Sequence, residues 1–123
     1  MNEEVSKALQ HQIGQYQQLQ QQAQLVIMQK QNMELQLKEI DGAIKELDAA
    51  SDDVAMYKSI GALFIKSKKD VTLSELKETK EALEIRISSL SKQEKTLTEK
   101  LKEMEQKITQ KMNLDKTNRS SAG

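Results

Sequence analysis

Cysteine, proline and tryptophan are absent from the 123 residues, glycine occurs four times, and aromatic side chains make up 2%. Without cysteine there is no disulfide framework, no thiolate zinc ligand and no thiol nucleophile, and a reducing compartment is permitted. With so few aromatics and turn-formers, a compact globule would lack both the bulk for a core and the punctuation for its loops. Nineteen basic side chains balance nineteen acidic ones, which leaves no basic excess for neutralising the phosphates of a nucleic acid. The longest apolar runs, Leu25 to Met28 and Ala62 to Ile65, are four residues each, far short of the ~20 that a bilayer span needs. The opening Met1-Asn2-Glu3-Glu4 lacks the basic start and apolar stretch of a secretory signal. These absences lead to the expectation of a soluble, cytoplasmic, helical protein without membrane or nucleic-acid partners.

What the chain does contain is a heptad. Val5, Leu9, Gln12, Tyr16, Leu19, Ala23, Val26, Lys30, Met33, Leu37, Ile40, Ile44 and Leu47 follow one another in steps of four and three. A second series runs Leu73, Leu76, Lys80, Leu83, Ile87, Leu90, Glu94, Leu97, Leu101, Met104, Ile108 and Lys111. Both are the apolar seams of coiled-coil helices, each roughly 60 Å long at 1.5 Å per residue. Thr72 with Glu75 reads as a capping box for the second helix, and Val71 against Leu76 as a hydrophobic staple. Glu34–Lys38, Asp41–Lys45 and Glu103–Lys107 are spaced to pair along their own helices.

Between the seams, residues 49–71 differ in kind. Ser51-Asp52-Asp53 signals a turn. Val54, Met56, Tyr57 and Ile60 then lead to Gly61, followed by Leu63, Phe64 and Ile65. Two short β-branched and aromatic segments about one Gly read as a β-hairpin, the other reading being an irregular inter-helix loop. A turn centred on Ile60-Gly61 pairs Tyr57 with Phe64 and Met56 with Ile65, and a one-residue slip turns different side chains inward. Such a hairpin holds more apolar surface than two strands can cover, and it has two open edges. It is therefore expected to associate with hairpins of other subunits.

A bend near residue 60 folds the helices antiparallel and sets Lys30 opposite Glu94, both at core positions. They either form an ion pair that fixes register or snorkel separately to water. At the open end Val5, Leu9 and Ile13 approach Ile108, Met112 and Leu114; these residues either close the coiled coil or leave apolar surface exposed at its tip. Twelve glutamines lie between Gln10 and Gln36, and Ile13, Leu25, Ile27, Met28 and Leu35 fall outside the core series. That face is either low-charge packing or a surface tolerant of many partners.

Catalytic chemistry finds little footing. His11 is the single histidine and the glycines are scattered, so neither a zinc set nor a phosphate-binding loop can be assembled. Carboxylates spread along helices describe solvated faces. No enzyme activity and no cofactor or metal is expected.

Several stretches together resemble the β-class prefoldin subunits of archaeal type. They are the opening Gln15-Tyr16-Gln17-Gln18-Leu19-Gln20-Gln21-Gln22 and Gln29-Lys30, the run Asp52-Asp53-Val54-Ala55-Met56-Tyr57-Lys58-Ser59-Ile60-Gly61 with Leu63, Ile65 and Lys66, and Lys92-Gln93-Glu94. A single hairpin between helices matches the β class; the α class carries two. The resemblance implies a mainly α fold, in which two long helices form an antiparallel coiled coil joined by a short β-hairpin that oligomerises into a β-barrel. It implies assembly of two α-class with four β-class subunits. It further implies an ATP-independent holdase that captures unfolded polypeptides at the coiled-coil tips and passes them to a group II chaperonin. On this reading residues 1–123 form one prefoldin-like domain: helix 3–48, hairpin region 49–71, helix 72–113 and a disordered tail 114–123. The client-binding tips are Val5, Leu9, Ile13, Ile108, Met112 and Leu114. The oligomerisation hairpin uses Val54, Met56, Tyr57, Ile60, Gly61, Leu63, Phe64 and Ile65. The rival reading is a structural rod or adaptor that acts as a parallel coiled-coil homodimer.

Overall fold

The structure, a computed structural model, describes the backbone of residues 2–122 and the side chains of residues 7–114. Its elements are α1 (Asn2–Ala49), β1 (Met56–Ile60), β2 (Leu63–Ser67) and α2 (Lys69–Ala122). Contacts divide the chain into two units, residues 30–89 and residues 1–29 with 90–123.

The first unit contains the hairpin and the helix segments that flank it. α1 stops where Ala50 N–H bonds back to the Leu47 carbonyl at 3.1 Å, and Ser51 closes the next turn by accepting from Val54 N–H at 3.1 Å. Ser51 Oγ also takes Asp53 N–H at 3.3 Å, the local side-chain bonding that draws serine to turns. The last turn of α1 has no basic residue, although a helix C-terminus favours a cation. Lys69, the first residue of α2, supplies it: Nζ donates to the Ala50 carbonyl at 2.7 Å and lies 3.5 Å from Asp52 Oδ1. Only 14% of that lysine side chain is exposed.

The second helix starts three residues ahead of the capping box. Thr72 N–H already bonds to the Lys68 carbonyl at 3.0 Å, so Thr72 sits inside the first turn and its hydroxyl meets Ser67 Oγ at 2.8 Å. Asp70 accepts Val71 N–H at 3.0 Å instead. At its other end α2 continues through the segment expected to be a disordered tail; that segment has no proline, and its one glycine is Gly123.

Within residues 30–89 the helices run antiparallel in one chain. Asp41 Oδ1 meets Lys80 Nζ at 2.7 Å, and Lys69 meets Ala50 further on, so position falls along α2 as it rises along α1. Fold-back within one chain replaces the parallel pairing of the rod reading. Asp41, spaced to serve Lys45 on its own helix, thus bridges to a core-series lysine on the other. The Lys80 ammonium is held above its ordinary pKa, first by the hydrogen bond from its Nζ to Asp41 and then by the charge of that carboxylate.

Among the described residues two side chains are buried, Ala23 and Leu90 at 6% and 5% exposure, and both lie in the second unit. In both units every described heptad position is shielded to some degree, Lys30 and Glu94 included, and Ile13 and Ile27 widen the seam beyond a strict heptad.

Candidate functional site

β1 and β2 pair antiparallel in the register Met56↔Ser67, Tyr57↔Lys66, Lys58↔Ile65, Ser59↔Phe64, Ile60↔Leu63. The loop is therefore Gly61-Ala62, one place beyond the turn centred on Ile60-Gly61. Gly61 has φ +58, and among the described residues none other than glycine has a positive φ, which gives the φ signs of a type II′ turn with its obligatory glycine first. Moving the turn by one residue changes every partner but leaves the faces intact, because both strands shift together. One face carries Met56, Lys58, Ile60, Leu63 and Ile65; the other carries Tyr57, Ser59, Phe64 and Lys66.

Lys58 reaches Glu75 of α2 at 2.9 Å, which turns the first face toward the helix at its root, where Met56 and Ser67 are half-buried. The rest is open. Tyr57, Leu63 and Phe64 are 65%, 67% and 76% exposed, with Ile60, Ile65 and Val54 also exposed. The sheet has two strands, so the outer edge of each carries unpaired backbone donors and acceptors. Apolar side chains are thus exposed on both faces, and both strand edges are open, which leaves more apolar surface than two strands cover.

The residues expected at the tip fall in the unit of 1–29 and 90–123. Leu9, Ile13 and Ile108 are half-buried there, whereas Met112 and Leu114 are 53% and 63% exposed. Val5 lies outside the described side chains. Between Leu9 and Ile13, Gln12 has a buried Oε1 without a hydrogen-bond partner among the described residues, a defect that typically costs about 1–3 kcal/mol and weakens this end of the seam. The heptad signalled it, since Gln12 occupies a core position. Sequence reasoning missed exposed Val71 and Ile85 on α2 and the Lys69 anchor.

A cleft of about 690 Å³ opens at the hairpin root in residues 30–89, walled by Asp48, Asp53, Lys66, Lys68 and Leu73 among others. Its charges are of both signs and it holds no histidine or cysteine. Among the described residues no cluster of metal-ligating side chains occurs, and no helix is long and apolar enough to cross a membrane.

A family model described as Prefoldin subunit matches residues 10–114. The chain belongs to the prefoldin family. Prefoldin subunit beta of Thermococcus kodakarensis is 46% identical over 96 residues, 78% of this chain and 82% of the relative. That of Methanothrix thermoacetophila is 39% identical over 112 residues, 91% and 93% of the two chains. The crystal structure of the prefoldin beta subunit from Thermococcus strain KS-1 has a TM-score of 0.78 at 44% identity, covering 84% of this chain and 90% of that one. Two long helices with a single hairpin between them are thus a β-class prefoldin architecture, and the family is one of chaperones.

Proposed function

We propose that this prefoldin chain is a subunit of an ATP-independent holdase in the cytoplasm. Its hairpin joins those of partner subunits in a closed β-barrel, two α-class with four β-class chains. Closure pairs the open strand edges and covers the apolar faces, with Val54, Met56, Tyr57, Ile60, Leu63, Phe64 and Ile65 as contacts and Gly61 setting the turn. The distal ends then hold unfolded polypeptides through Val5, Leu9, Ile13, Ile108, Met112 and Leu114 and hand them to a group II chaperonin.

The observation that carries the holding role is the exposure of Met112 and Leu114 beside a seam weakened at Gln12. Contacts of this size are weak singly, but several on one scaffold multiply into useful avidity. Keeping one unfolded chain away from others suppresses aggregation without any chemical step. The test is light scattering of an aggregating client with the assembly carrying Met112→Ser and Leu114→Ser. Protection should fall while sedimentation and helicity stay unchanged; undiminished protection by an intact variant assembly overturns the tip assignment.

A further inference from the structure

In the unit of residues 1–29 and 90–123, the two helices have opposite surface chemistry. Between Lys7 and Lys30, α1 contains no Asp, Glu, Lys or Arg, whereas α2 has a charged residue at least every fourth position from Lys92 to Lys111. On the side of α1 away from Leu19, Ala23 and Val26, the helical period aligns Gln10, Gly14, Gln18, Gln21, Leu25 and Met28. All six are exposed, Leu25 at 60% and Met28 at 63%. Nothing stands within 4 Å of where a side chain on Gly14 would begin. The stripe is about 27 Å long at 1.5 Å per residue.

We propose that this face of α1 is a docking rail for an extended, uncharged stretch of an unfolded polypeptide, separate from the tips. It rests on the holdase reading and gives that reading a second contact surface. Charge selects the occupant: between Gln10 and Met28 phosphate or lipid headgroups meet no cation, the one lysine on this side being Lys7 a turn before Gln10, and a charged segment would lose water along the stripe without gaining a counter-charge. A folded helix has its backbone bonds satisfied internally and wants a continuous apolar seam, which Gln18 and Gln21 interrupt. An unfolded chain brings unpaired N–H and C=O groups, and each glutamine offers both donors and an acceptor to them. Leu25 and Met28 add apolar contact, the methionine thioether adapting to varied side chains. The stripe accommodates about eight extended residues at roughly 3.3 Å each.

The test uses the full-length chain assembled with an α-class subunit, and fluorescein-labelled, reduced and carboxymethylated α-lactalbumin as a permanently unfolded probe. The double variant Leu25→Gln/Met28→Gln keeps helix propensity and the amide character while removing the apolar contacts. It should bind the probe about tenfold more weakly, and Gln18→Glu/Gln21→Glu should weaken binding as well. Because the natural sequence has no cysteine, Gln21→Cys carrying benzophenone should crosslink the probe, and Lys95→Cys on α2 should do so far less. Unchanged affinity of both double variants, with equal crosslinking from positions 21 and 95, overturns the rail and leaves the tips standing. A wild-type assembly that fails to bind the probe overturns the holdase reading itself. A Leu25→Gln/Met28→Gln variant that alters sedimentation but not probe affinity assigns the face to subunit contact and likewise overturns the proposal.

Discussion

Phe64 offers the sharpest test of the hairpin as an association surface. At 76% exposure it is the most open of the large apolar side chains described, and it lies opposite Ser59 on the face away from the Lys58–Glu75 bridge. A phenylalanine presents about 200 Å², so burial between subunits would remove roughly 150 Å² from water. At ~25 cal/mol per Å² that contributes about 4 kcal/mol, or about three decades in a dissociation constant. The conformation of an isolated subunit should barely notice the loss, because that ring already faces solvent. Phe64→Ser is therefore expected to shift the midpoint of assembly with an α-class subunit by about a thousandfold in concentration, followed by sedimentation velocity across a dilution series. Far-UV circular dichroism should match wild type, and Phe64→Leu should retain most of the assembly. A Phe64→Ser midpoint within about threefold of wild type would refute the reasoning, since so little surface could not then have been buried.

Two further expectations concern the helices. Leu90→Ala removes a buried side chain and should destabilise by about 3 kcal/mol in denaturant titration, whereas Ile85→Ala, already 66% exposed, should stay within ~1 kcal/mol; equal costs would mean that Leu90 is not a core residue. The Asp41–Lys80 bridge has a sign that can be worked out: the folded chain holds the Lys80 proton more tightly than the unfolded one, whose ordinary value is 10.5. Its contribution is whole below that value and is lost as pH rises through the higher folded-state value. Wild type should consequently lose more stability than Asp41→Asn above pH 10.5, and parallel stability curves over that range would exclude the bridge as a stabilising contact.

The heptads were legible because burial in a two-helix seam depends on local period alone, and each described position in both series is shielded. The start of α2 was not, because the Thr72–Glu75 signature is a local preference overridden by Lys69, whose ammonium is held at the Ala50 carbonyl of a distant turn. The hairpin turn slipped by one place for a similar reason: a lone glycine suits either central position of a two-residue loop, and only the paired strands choose between them. For the residues expected at the tip, the sequence did not separate those in the seam, such as Leu9 and Ile108, from those left open, Met112 and Leu114. That distinction depends on which flank of each helix the opposite helix covers.

The division of contacts also sets a timetable for synthesis. The unit that contains Ala23 joins residues 1–29 to residues 90–123, so no residue of α1 in it can meet its α2 partners in that unit until at least about sixty more residues have been made. At about 5–20 residues per second that is a wait of roughly 3–12 s. Through that interval the leading end of the nascent chain is itself an unpartnered amphipathic segment with Leu9, Leu19 and Val26 uncovered. Lys69 and Ala50, only nineteen apart, can meet much sooner, so pairing has a natural starting point beside the hairpin and closes toward the termini.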